Sequence, residues 1–212
     1  MINTNEKKLD LKQNIYFIRI LIYAAIVGLG AGAIGTFFTV SVNSVIELRV
    51  QYPWLIYFLP LGGVIIVLLY QLAKYKDAGT DLVIQSIHSE PHLPVRVGPL
   101  IFVSSVITHL FGGSAGREGA ALQIGGSVGS FVSKTLHLKE EDKKTLIMAG
   151  MSGCFSALFG TPLTAAIFPL EVVHVGYMQY AALLPCAIAS LIGHSVAIAL
   201  NLVEPMHHIG TV

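Results

Sequence analysis

A glutamate stands between glycines and an arginine, inside an apolar stretch, in Phe111-Gly112-Gly113-Ser114-Ala115-Gly116-Arg117-Glu118-Gly119. An ionisable side chain at membrane depth costs about 2.5–3.5 kcal/mol even on insertion scales, so such residues are kept for handling an ion or a proton. The residues that follow read as a helix. A helix start presents N–H groups without intrahelical acceptors and the positive end of the helix dipole, and both attract anions. The segment therefore reads as an anion site, with Glu118 as a carboxylate that competes for it.

Two further segments carry candidate chemistry. Asp77-Ala78-Gly79-Thr80-Asp81-Leu82 is a second glycine-marked helix start, with Thr80 or Asp81 as N-cap. By itself it reads as a plain capped turn. Glu171, in Phe168-Pro169-Leu170-Glu171-Val172-Val173, is another charge in an apolar run. It reads as a proton relay or as a structural carboxylate, the second being favoured. A competing pattern is Gly112-Gly113-Ser114-Ala115-Gly116, which fits the G-x-S-x-G string of serine hydrolases, with His109 close by. That motif needs a strand-to-helix turn or a dedicated helical serine site. Here the string joins two hydrophobic segments in a chain with 21 glycines, so a chance match is cheap. The eight histidines show no metal-ligand spacing, and Cys154 and Cys186 read as buried free thiols.

The elements that must position these residues are membrane helices. Of the 212 residues 54% are hydrophobic and only 12% charged, against about 25% in soluble domains. The mean hydropathy is +0.71. The net charge of +1 offers no basic face for nucleic acid. A span needs about 20 apolar residues. The chain offers a long first run from Ile15 to Ile46, a second from Trp54 to Ala73, and further apolar segments at Val95–Phe111, Ala120–Leu136, Thr145–Phe159, Pro162–Val175 and Tyr180–Val203. Several are too short for a full crossing, and short, interrupted segments mark transporter sites built from half-helices. Lysines at 7, 8, 12, 74, 76, 134, 139, 143 and 144 point to cytoplasmic connectors. The charged stretch Lys139–Lys144 reads as a solvated connector that opens the next helix. Small residues in Gly28-Leu29-Gly30-Ala31-Gly32-Ala33-Ile34-Gly35 predict close helix packing. The organisation is a cytoplasmic tail (1–13), a membrane domain (14–204) and a short truncated tail (205–212).

These motifs resemble a known family. Gly116-Arg117-Glu118-Gly119, with Leu122-Gln123-Ile124-Gly125-Gly126, resembles the G-[KR]-E-G-P…Q-x-G-G/A segment of CLC chloride channels and proton-coupled antiporters. Asp77-Ala78-Gly79-Thr80-Asp81 stands where that family has G-S-G-I-P, and Thr161-Pro162-Leu163 through Phe168 and Glu171 resembles its P-L-x-G-x-x-F-x-x-E segment. Ala120 replaces the proline after G-R-E-G, Ala78 and Asp81 replace the serine and proline of G-S-G-I-P, and Thr108-His109-Leu110-Phe111 precedes the glycine run. These departures are more similar to the bacterial fluoride/proton antiporter branch. Val172 occupies the place where many chloride/proton antiporters carry their internal proton-accepting glutamate.

The resemblance implies an all-α polytopic protein with broken, re-entrant helices, forming one half of the CLC inverted-repeat architecture. It implies a transporter rather than an enzyme, without a cofactor or metal, in the bacterial plasma membrane. Glu118 becomes the gating, proton-binding glutamate. Gly116, Arg117, Gly119 and Ala120 become main-chain anion contacts, and Gly79 and Thr80 line the inner pathway. The partners implied are a small anion (fluoride, or chloride as the alternative), protons, the lipid bilayer, a second half or another copy, and a homodimer when complete. Because second-half motifs are absent, the chain reads as a fragment of a longer protein rather than a half-length member. Outside the class, the alternatives are the serine hydrolase and a transport-inactive membrane fragment or interaction module.

Overall fold

In the computed structural model the described residues are 4–73, 84, 93–173 and 179–200, with side chains described from Gln13 onward. Among them are seven α-helices and no strand. In chain order they are α1 (Thr4–Gln51), α2 (Leu59–Leu72), α3 (Val97–Leu110), α4 (Arg117–Thr135), α5 (Glu140–Phe159), α6 (Pro162–Val173) and α7 (Tyr180–Ala199), with a 3-10 turn at Pro53–Phe58 leading into α2. Three stretches are long and apolar enough to cross a membrane: Gln13–Gln51, Pro53–Leu72 and Tyr180–Ala199. α3 and α6, at 14 and 12 residues, are shorter than a crossing, as the interrupted sequence segments predict.

Two helix starts add to the sequence reading. α1 begins at Thr4, so the segment read as a tail over 1–13 continues the first helix from that residue. Its Glu, Lys and Leu residues are strong helix formers and extend the helix beyond the apolar run. α5 begins at Glu140, so Glu140, Glu141 and Asp142 form its first turn. Asp142 is buried, against the reading of this stretch as a solvated connector, and Tyr16 of α1 donates a hydrogen bond to its carboxylate. Acidic residues suit a helix N-terminus, and the partner 126 residues away allows one of them to turn inward.

α5 is the hub. Every residue from Thr145 to Leu158 is buried, as expected of a helix surrounded by others, and α1, α4, α6 and α7 pack around it. Small residues permit the approach. A Cβ on Gly125 would stand 2.2 Å from the Gly150 carbonyl oxygen, and one on Gly129 would stand 2.1 Å from that of Leu146. In the same way Gly28 and Gly32 of α1 meet the backbone of Ala189 and Gly193 of α7, which confirms the packing role read from the Gly28–Gly35 run. The pairs show α4 running antiparallel to α5 and α1 parallel to α7. The first turn of α4 thus lies toward the end of α5 where Gly160 (φ 67°) and Thr161 turn the chain into α6. Several hydroxyls in the apolar helices bond back within their own helix, as Thr36 to the Gly32 carbonyl (2.8 Å) and Thr39 to the Gly35 carbonyl (3.0 Å).

Gly125→Ala forces α4 and α5 apart and costs about 1–3 kcal/mol, the scale of overpacking. Gly63 of α2 has nothing within 4 Å of its Cβ position. Gly63→Ala therefore leaves stability unchanged or raises it, by up to about 1 kcal/mol from helix propensity. Thermal unfolding of the detergent-solubilised variants checks both.

Candidate anion site

The path from α3 to α4 is built to stop one helix and start another within a few residues. α3 closes in a Schellman arrangement: the Gly113 N–H donates to the Thr108 carbonyl (2.8 Å) and the Gly112 N–H to that of His109 (3.2 Å). Gly112 takes φ 83°, a left-handed conformation that glycine adopts without a Cβ penalty. The Arg49 guanidinium from the last turn of α1 lies against it, Nη1 being 3.3 Å from the position of a Gly112 Cβ. A cation there complements the negative end of the α3 dipole.

α4 starts after Gly116, an N-cap in extended conformation (φ −67°, ψ 132°) with no side-chain cap hydrogen bond. The N–H groups of the N-cap and of the first three helical residues, Gly116 to Gly119, precede the intrahelical ladder. Ala120, the next residue, is buried against the core. Glu118 is exposed on the surface of this chain, and its carboxylate folds back over the helix start, Oε2 lying 3.3 Å from where a Gly116 Cβ would be. A carboxylate and the backbone donors of one helix terminus are thus held in the same small volume.

Side chains tie this turn to its surroundings. Arg117 Nη2 donates to Asn43 Oδ1 of α1 at 2.8 Å, and the buried Gln123 donates through Nε2 to the Gly119 carbonyl at 3.2 Å. At the entry to α3, Ser130 (2.7 Å) and Lys134 (3.0 Å) both donate to the Leu93 carbonyl and hold that segment on α4.

Of the residues singled out in the sequence, Gly116, Arg117, Glu118, Gly119 and Ala120 come together at this one turn. Gly79 and Thr80 lie outside the described residues. Glu171 is exposed on α6, roughly 14 Å along that helix from Pro162 at 1.5 Å per residue. Ser114 is exposed on the connector. The Nδ1 atom of His109 lies 2.7 Å from the carbonyl of Ser105 one turn back, and the connector joins helix to helix with no strand among the described residues. Asn43 was not picked out from the sequence. Its signal was an amide among apolar neighbours, between Val42 and Ile46 of the first span.

The voltage gated chloride channel family model matches residues 61–212. The chain belongs to that family. It is 38% identical over 199 residues to a chloride/fluoride channel protein of Pseudomonas syringae pv. tomato, covering 93% of this chain and 44% of that protein. It is 30% identical over 168 residues to an H(+)/Cl(-) exchange transporter of Vibrio campbellii, covering 72% and 36%. Among solved structures it is similar to a CLC-type fluoride/proton antiporter, with TM-score 0.83 and 33% identity over 92% of this chain and 51% of the other. A slow cyanobacterial Cl−/H+ antiporter shares the fold, with TM-score 0.75 at 21% identity over 92% of this chain and 50% of the other. This CLC chain is a polytopic integral membrane protein of the bacterial plasma membrane. It spans less than half the length of the curated relatives it matches, and about half that of the solved structures.

Gly112→Ala places a side chain in the left-handed region and costs about 1–2 kcal/mol. Ser114→Ala, at an exposed position, leaves the thermal midpoint unchanged. Parallel melts of the two variants check the contrast.

Proposed function

We propose that the protein containing this chain exchanges fluoride for protons, exporting the anion, with Glu118 as the gating group. The observation that carries the reading is the Glu118 carboxylate folded over the uncapped first turn of α4. With Glu118 ionised, its own carboxylate takes the backbone donors. With Glu118 protonated, the charge is gone and the donors of Gly116, Arg117 and Gly119 are released to an anion that sits beside the adjoining Ala120. Hydrogen bonds to a charged group contribute roughly 1.5–3 kcal/mol each, net of the water they replace, so several together favour the anion in the site. Each proton carried inward on Glu118 then accompanies an anion moving outward.

Fluoride is preferred to chloride on likeness: 38% to the chloride/fluoride channel protein against 30% to the H(+)/Cl(-) exchange transporter. Ala120 in place of a proline and Val172 in place of a glutamate agree with this choice. A chloride channel or chloride/proton antiporter is the second reading, supported by the Vibrio relative. In this account Gly79 and Thr80 line the inner pathway, and Glu171 is a structural carboxylate. Residues 14–204 form the N-terminal half of the membrane domain. A second half or another copy completes it, and the complete protein is a homodimer.

The test uses the protein at its full encoded length in liposomes loaded with fluoride or chloride, with an ion-selective electrode outside and a pH probe inside. Fluoride efflux with opposing proton uptake is expected. Glu118→Ala abolishes the coupled exchange, and Glu118→Gln passes anion without stoichiometric proton movement. Preserved proton coupling in Glu118→Gln contradicts the assignment, and chloride flux exceeding that of fluoride moves it to the second reading.

A further inference from the structure

We infer that Asn43 is a positioning residue for the Glu118 gate, acting through Arg117; the inference rests on the gating role proposed above. The first turn of α4 lacks the usual means of fixing a helix start, because its N-cap is a glycine with no side chain to bond back to the turn. Gln123 contributes from within α4 itself, at 3.2 Å. From outside the helix, the bond from Arg117 Nη2 to Asn43 Oδ1 at 2.8 Å anchors the residue immediately before Glu118.

The anchor sits on a firm reference. α1 is held by backbone-close contacts of Gly28 and Gly32 with α7 and of Gly35 with Cys154 of α5. Neighbouring hydroxyls on the same stretch of α1, those of Thr36, Thr39 and Ser41, all bond back to carbonyls four residues earlier. Asn43 reaches across to a residue 74 positions away. An amide in an apolar span is costly to desolvate without a partner, so this one is matched to a specific task. Holding Arg117 toward α1 sets the rotation of the first turn. It thereby sets where the N–H groups of Glu118 and Gly119 point and where the Glu118 side chain leaves the helix.

The test is a double-mutant cycle of Asn43→Ala and Arg117→Ala, with Asn43→Asp as the variant that keeps an acceptor on a side chain of the same length. It is read two ways on the full-length protein: fluoride efflux with its proton ratio, and hydrogen exchange at the amides of residues 117–119. Asn43→Ala is expected to slow coupled efflux about tenfold and to speed exchange at those amides about tenfold, the scale of one charged hydrogen bond. Asn43→Asp restores both, and Asn43→Ala adds nothing in the Arg117→Ala background. Independent, multiplicative effects of the two substitutions, or unchanged amide exchange in Asn43→Ala, overturn the inference. If the unmutated protein carries neither ion while the amides still respond to Asn43, the transport reading fails and the anchoring by Asn43 stands.

Discussion

A helix that begins inside an apolar layer leaves its first N–H groups without intrahelical acceptors, and no water is there to take them. At the start of α4 the problem is sharpened by a glycine N-cap without a side-chain bond. Beside it lies the carboxylate of Glu118, its Oε2 3.3 Å from where a Gly116 Cβ would be. In the proposed mechanism those donors pass between the Glu118 carboxylate, while it is charged, and an anion. The transport chemistry proposed here follows from that exchange of partners, and the surrounding architecture serves to place it.

Two devices bring the helix start to its place. One is the abrupt ending of α3, where the left-handed Gly112 and the paired bonds from Gly112 and Gly113 turn the chain within a few residues. The other is the packing of α4 on α5, where Gly125 and Gly129 meet backbone rather than side chains. In a membrane the lipid tails are as apolar as the helices, so close backbone approach and its dispersion contacts take the place of hydrophobic expulsion. α1 runs past both regions. It is tied near one end by Tyr16 to Asp142 of α5 and toward the other by Asn43 to Arg117 of α4.

Much of this was legible in the chain. Spans were readable because apolar runs in a membrane protein have little else to do. Glu118 stood out because a charge among glycines in such a run is expensive, and the small-residue stripe of α1 fell on the α7 contact as its spacing implied. What escaped was the set of long-range polar pairs. Asp142 reads as a solvent-facing member of an acidic cluster, and nothing local says that Tyr16, 126 residues earlier, draws it inward. Asn43 looks like an isolated polar residue until the fold sets Arg117 beside it. The left-handed role of Gly112 was equally hidden, since its neighbour Gly113 looks the same in sequence and only the hydrogen-bond pattern separates them.

The most direct measurement is amide NMR of protein carrying Glu118→Gln with nitrogen-15 at the backbone, titrated with fluoride. If the Glu118 carboxylate and the anion share the α4 donors, saturable shifts are confined to the first turn of α4, at Arg117 and Gly119 above all, and more fluoride is required when the ionised Glu118 is restored. Fluoride binding or crossing without any change at those amides would contradict it.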